Sequence, residues 1–144
     1  MKNTKVKDIM TASPILVSPN STLEQAAFRM KDYDCGMLPV GTAGHLEGVI
    51  TDRDIVLRAV AEGKDITIET VKNYMSHDIF ACSEEDIFED AIEKMQLHQV
   101  SRLIVKDKKG KASGILSFGG ILRKSGDVSK IATIVKRAVG SKDY

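Results

Sequence analysis

The sequence predicts a mixed α/β fold of the α+β kind: two pseudo-symmetric β-α-β-β-α repeats packed sheet to sheet, followed by a C-terminal amphipathic helix. Three observations predict it. The chain repeats itself at an offset of 65 residues that becomes 66 in its later part. Both copies run through strand-spaced and helix-spaced apolar residues in the same order. Each copy has few large apolar side chains, so burying one sheet face against its twin is the simplest way to complete a core. The length of 144 residues and apolar fraction of 42% suit one module built from two small units.

In chain order, Val6 to Met10 (Val-Lys-Asp-Ile-Met) answers Val71 to Met75 (Val-Lys-Asn-Tyr-Met), and each reads as a short extended start. Leu23, Glu24, Ala26 and Met30 then fall opposite Phe88, Glu89, Ala91 and Met95 at helical spacing. Ser21 to Glu24 and Asp86 to Glu89 offer capping patterns for these helices. Met37 to Val40 matches Arg102 to Val105 as a short apolar strand. An extra residue near Gly110 shifts the offset, so Gly48-Val49-Ile50-Thr51 lies opposite Gly114-Ile115-Leu116-Ser117. A helical pattern follows from Asp54 to Ala61.

Two copies fall short of the roughly three that a solenoid needs, whereas face-to-face pairing creates a pseudo-twofold cleft. Gly63 to Thr70 is a polar connector too short to let two domains drift apart. The expected divisions are residues 5–65, residues 66–126, and a helix and tail over 127–144. In that last stretch Val128, Ile131, Ala132, Ile134, Val135, Ala138 and Val139 form an apolar stripe. Asp127 or Ser129 stands near its start and Gly140 at its stop. The stripe either covers the module or joins a subunit interface.

Twenty-one basic and twenty acidic side chains leave almost no net field, so nucleic-acid binding is not expected. From Arg123 onward six basic residues face two acidic ones, which fits a solvated helix face or an anionic partner. Cys35 and Cys82 have no metal-ligand spacing and read as small buried hydrophobes of a reducing compartment. No apolar run reaches membrane-spanning length and no signal-like start is present, so the expected location is cytoplasmic.

His45, His77 and His98 are scattered, without metal spacing. Glu84-Glu85-Asp86 precedes a helix and suits its dipole. Gly119-Gly120 is no phosphate loop, because no Gly-Lys-Ser/Thr follows. No nucleophile sits with a base in any local signature. The expectation is a protein that is not an enzyme, with no catalytic residues and no metal.

The chemistry concentrates at Gly48-Val49-Ile50-Thr51-Asp52-Arg53-Asp54. Thr51 and Asp54 have the spacing of a capping box, in which hydroxyl and carboxylate each accept from the other residue's backbone N–H. The same junction also suits a ligand, since a helix start presents unpaired N–H groups to phosphate and a carboxylate accepts hydrogen bonds from a ribose diol. The spacing alone leaves both readings open.

The two Val-x-x-x-Met starts, the strand pieces Met37-Leu38-Pro39-Val40 and Arg102-Leu103-Ile104-Val105, and the Gly48–Asp54 run together resemble a tandem pair of cystathionine-β-synthase (CBS) domains, a Bateman module. The resemblance covers nearly everything from Lys5 to about Lys124. It implies a regulatory module that binds an adenosine-containing ligand (AMP, ADP, ATP or S-adenosylmethionine) in the cleft. No cofactor is obligatory, though magnesium would accompany a triphosphate. It further implies a homodimer, and a separate effector protein that reads a conformational change. By resemblance Thr51 approaches phosphate and Asp54 holds the ribose hydroxyls, with Asp52 and Arg53 in the same motif. Adenine would lie against Ser76, Ile79 and Phe80 and against Val100, Ser101 and Leu103. Arg102 is either a phosphate partner or a surface cation.

The second copy departs from the motif. Ser117 keeps the hydroxyl, but Gly120 stands where the aspartate belongs. Losing a charge-assisted pair costs on the order of 1.5 to 3 kcal/mol, or about one to two decades of affinity. The second cleft, from Ser117 with Thr11, Ser13, Ile15 and Met37, is therefore expected to be the weaker. The rival expectation is a structural dimerisation or scaffold module whose site is vestigial.

Overall fold

The repeat becomes two sheets, and each sheet is finished by a piece of the other repeat. The computed structural model describes residues 4–124 together with Ser129, Ala132, Thr133, Val135 and Lys136. The elements are α1 (Val6–Ile9), β1 (Thr11–Ala12), α2 (Leu23–Tyr33), β2 (Met37–Thr42), β3 (His45–Thr51) and α3 (Asp52–Ile55). A π-helical turn (Val56–Val60) continues α3, and a 3-10 turn (Val71–Asn73) precedes β4 (Ala81–Ser83), α4 (Phe88–His98), β5 (Arg102–Lys106), β6 (Ala112–Ser117) and α5 (Phe118–Lys124).

The chain divides into two compact units. The first spans Pro14–Ile79. The second gathers the described residues up to Ser13 with those from Phe80 onward. In the first unit β2 and β3 form an antiparallel hairpin. Val17 bridges Val40 in parallel on one side, and Ser76 bridges Val49 antiparallel on the other. The second unit repeats this order in fuller form: β4 pairs with β5 in parallel, β5 with β6 antiparallel, and β1 with β6 antiparallel. Cys82 opposite Val105 is the offset image of Val17 opposite Val40. Lys5 opposite Ile87 likewise mirrors Thr70 opposite Thr22.

Packing follows the periodicity. Leu23, Ala26 and Met30 of α2 meet Leu38, Val40 and Ile50 in the first core, and Phe88, Ala91 and Met95 of α4 meet Leu103, Val105 and Leu116 in the second. Val71 is fully buried in the first core and Val6 in the second. Each contributes about 2 kcal/mol through its apolar area, so the exchanged pieces are held by core as well as by hydrogen bonds. The second unit adds an ionic clamp, with Lys5 Nζ 2.6 Å and Lys7 Nζ 2.9 Å from the Glu85 carboxylate. Hydrogen bonds from these two ammonium groups hold the Glu85 carboxyl down at about 2. Burial pushes the Cys82 thiol up to about 11, so it stays protonated at neutral pH and acts as a small apolar side chain.

Several local expectations shift. The repeat starts are helical turns rather than extended pieces, flanked by extended residues at Lys5 and Thr11 and at Thr70 and Ser76. The α2 cap is Thr22 with Gln25, one residue beyond the Ser21–Glu24 pattern, because the Thr22–Thr70 bridge fixes Thr22 as the last extended residue. Before α4 the last extended residue is Ile87, which has no capping side chain, and Asp86 turns back to accept from Ser83 N at 2.9 Å. The third helix begins at Asp52, two residues before the expected start, and loosens into the π turn from Val56. Both long helices end on a left-handed residue, Asp34 and Gln99. Of the C-terminal stripe, Ala132 and Val135 are helical, and Val135 packs on the second core. Ser129 is helical too, while Asp127, Val128, Ile131, Ile134, Ala138, Val139 and Gly140 lie outside the described residues. No helix among the described residues is long and apolar enough to cross a membrane.

Candidate functional site

Strand β3 runs into α3 with no loop between them. Thr51 is still extended (φ −115°, ψ 161°), and the next residue is helical. Its Oγ1 accepts from Asp54 N at 3.1 Å, while Asp54 Oδ2 accepts from Thr51 N at 3.0 Å. The capping box is therefore built. It uses one carboxylate oxygen and one hydroxyl lone pair, so Asp54 Oδ1 and the Thr51 hydroxyl proton take no part in it. Both side chains are half-buried. Asp52 and Arg53 lie exposed on the same turn. Asp52 N donates to Gly36 O at 3.0 Å, and its carboxylate accepts from Arg53 N at 2.8 Å.

Ser76 sits beside this junction. Val49 N donates to Ser76 O at 2.9 Å, and Ser76 N donates to Val49 O at 2.8 Å. Gly48 makes the approach possible, since a Cβ there would stand 2.4 Å from Ser76 O. Thr51, Asp52, Arg53, Asp54 and Ser76 are thus brought together, and half-buried Ile79 belongs to the same unit.

Phe80, Val100, Ser101, Arg102 and Leu103 belong to the second unit. There Phe80 O accepts from Ile104 N at 3.0 Å, and Ser101 O accepts from Phe118 N at 3.2 Å. Arg102 is paired across the sheet with Ser117 and is half-buried, while Leu103 is buried in the core. The Phe80 ring stacks on His98 at 4.3 Å between centroids. Nothing in the sequence pattern announced that stack, because the two residues meet only through the β4–α4 packing.

The second junction has the same plan with one part missing. Ser117 Oγ accepts from Gly120 N at 3.0 Å, the half of the cap that a backbone supplies. Glycine has no side chain to return the bond. A Cβ on Gly120 would stand 3.2 Å from Ser117 Oγ and 3.4 Å from Thr11 Oγ1, so these two hydroxyls and position 120 converge. Ser13, left-handed at φ 60°, donates its N–H to Ser113 O at 3.1 Å. Ile15 and Met37 fall in the first unit, where Ile15 packs on that core and Met37 pairs with Thr51.

Two cations escaped the sequence reading. Arg58 Nη1 donates to Tyr74 O and Lys124 Nζ donates to Met10 O, each on the segment that enters the sheet beside the junction. Their signal was present: each stands seven residues after the junction hydroxyl, Thr51 or Ser117.

Comparison with known proteins agrees with this architecture. A family model described as CBS domain matches twice, over residues 6–60 and 71–127. The CBS domain-containing protein YhcV of Bacillus subtilis (strain 168) is 39% identical over 116 residues, 81% of each chain. The crystal structure of Hypoxic Response Protein I with two coordinated zinc ions is similar at TM-score 0.73 and 32% identity, covering 85% of this chain and 99% of that one. The CBS domain pair of protein MJ0100, in complex with 5′-methylthioadenosine and S-adenosyl-L-methionine, is similar at TM-score 0.73 and 28% identity, covering 83% and 94%. Among the described residues of the present chain, no three or more His, Cys, Asp or Glu side chains are grouped to hold a metal ion.

Proposed function

The chain belongs to the CBS-domain family, with two copies of the domain, and on that premise we propose that it is a regulatory module, not an enzyme, that binds an adenosine-containing small molecule at the β3–α3 junction. The observation that carries this reading is the Thr51–Asp54 pair at one helix start, with the Ser76 segment bridged to Val49 on the strand that leads into it. Asp54 Oδ1 is a charged acceptor for the two hydroxyls of a ribose, a strong hydrogen-bond pair because one partner is ionised. The Thr51 hydroxyl and the Arg53 guanidinium supply donors for a phosphate or for the carboxylate of a methionyl group. The complex of the MJ0100 domain pair with two adenosyl compounds supports the choice of ligand class.

A ligand that binds one arrangement of the exchanged pieces better than another shifts the population toward it, and a separate effector protein reads that change. Equilibrium dialysis of the purified chain against AMP, ADP, ATP and S-adenosylmethionine tests the reading, with Asp54→Ala alongside and folding checked by circular dichroism. Saturable binding of at least one ligand, weakened by about 10- to 100-fold in Asp54→Ala, is expected. Equal binding by both proteins, or none by either, contradicts the proposal and favours a structural scaffold.

A further inference from the structure

Ser76 is held in place by very little of its own sheet. It makes a single-residue bridge to Val49, whereas its counterpart Thr11 belongs to a two-residue strand on β6. Gly48 leaves room for the segment but adds no bond. The segment is anchored by buried Met75, the residue before Ser76, and by Tyr74, two residues earlier. Its ring is buried, and burial together with a hydrogen bond to Glu69 raises its hydroxyl pKa above the usual range. Its carbonyl accepts from Arg58, whose guanidinium also lies over the ring at 6.0 Å from the centroid.

Arg58 comes from the π turn, where Ala61 N donates to Val56 O at 2.8 Å, five residues back along the helix. That turn directly continues the helix that carries Asp54 in its first turn. One continuous helical segment therefore holds the Asp54 carboxylate at its start and grips the Ser76 segment from its middle. The second unit repeats the arrangement with different chemistry: Lys124, also seven residues after the junction hydroxyl, donates to Met10 O just before Thr11. The recurrence marks the clamp as part of how each entering segment is seated. An arginine fork engages carbonyl and ring together, whereas a lysine offers a point charge.

We infer that Arg58 is a positioning residue for the adenosyl site: through Tyr74 it holds Ser76 against the Thr51–Asp54 junction. The inference deepens the proposed function and rests on it for its ligand arm only. Arg58→Met frees the Tyr74 carbonyl, and Arg58→Lys puts at the first junction the side chain that serves at the second. Amide hydrogen exchange of Ser76 and Val49 should speed up by about tenfold in Arg58→Met, as expected for loss of a charge-assisted bond, with the Leu103 and Val105 amides unchanged. Arg58→Lys should restore most of the protection. In calorimetric titrations with AMP, ADP, ATP and S-adenosylmethionine, Arg58→Met should weaken whichever ligand the wild-type protein binds by about tenfold, and Lys124→Met should not.

Unchanged exchange at Ser76 in Arg58→Met overturns the inference. So does a uniform rise over all core amides that the lysine variant fails to rescue, because it would mark a general loss of stability. Faster exchange with unaltered affinity leaves Arg58 a purely structural clamp and overturns the positioning role. A wild-type protein that binds none of the four ligands overturns the proposed function, while the exchange measurement still decides whether Arg58 seats Ser76.

Discussion

The β3–α3 and β6–α5 junctions are built to one plan and differ at one decisive place. In both, a strand enters a helix through a hydroxyl that caps the third helical N–H. A segment from the other repeat lies alongside, over a glycine, and a cation clamps that segment's backbone. At the first junction a carboxylate completes the cap and presents a second oxygen, whereas at the second junction Gly120 leaves the Ser117 N–H without that partner. The difference teaches that scaffold and site are separable. The scaffold needs the hydroxyl, the glycine and the clamp, and these occur twice. On the proposed function the ligand chemistry needs the carboxylate, and of the two junctions only the first has it.

The largest expected effect concerns the shared part. A methyl group on Gly48 would stand 2.4 Å from a backbone carbonyl that cannot swing aside, and one on Gly114 would stand 2.7 Å from Thr11 O and from Met10 Sδ. Gly48→Ala should destabilise the protein by about 3 kcal/mol and Gly114→Ala by about 2 kcal/mol, read from chemical denaturation. Near-neutral behaviour of either would mean that the segment is not seated as described.

A smaller effect should come from repairing the second cap. Gly120→Asp places its Cβ 3.2 Å from a hydroxyl that can rotate, returns a bond to Ser117 N and removes a helical glycine. The expected gain is about 0.5 kcal/mol in the same assay, and a loss would show that the hydroxyls around position 120 cannot make room.

The smallest effect separates the units by their ion pairs. Glu85 titrates near 2 in the fold instead of the ordinary 4.5, because Lys5 and Lys7 favour its charged form. Its contribution is complete above about pH 4.5 and is lost as the pH falls toward 2, since there the unfolded chain takes up the proton first. The midpoint difference between wild type and Glu85→Gln in thermal melts should be constant at neutral pH and close at the acid end. A pair this exposed contributes modestly even at its best. In the first unit the positions equivalent to Glu85 and Lys5 are taken by Asn20 and Thr70, two uncharged residues that form no such pair.

Much of this was legible because it is local or repetitive. The offset, the two hairpins and the Thr51–Asp54 pair follow from spacing, and the glycine at 120 needs only the register between copies. Spacing did not show the exchange of starting segments, because Thr11 finds Ile115 and Val71 joins the first core only through contacts far apart in sequence; only the family resemblance set Ser76 with Thr51 and Thr11 with Ser117. The α2 and α4 caps moved by a residue for the same reason, since the bridges at Thr22 and Ile87 decide where extension ends. The π turn and the Phe80–His98 stack leave no periodic trace. Arg58 and Lys124 did leave one, a cation at matched spacing, but a lone cation on a helix reads as solvated surface until its acceptor is seen.

The most direct measurement is the stoichiometry of adenosyl-ligand binding by calorimetry, on the wild-type chain and on Gly120→Asp. The account predicts about one ligand per chain for the wild type, with affinity dependent on Asp54, and a second binding event appearing when position 120 gains its carboxylate. Two equivalent sites in the wild-type protein would contradict it, because binding would then owe nothing to the one residue that distinguishes the junctions.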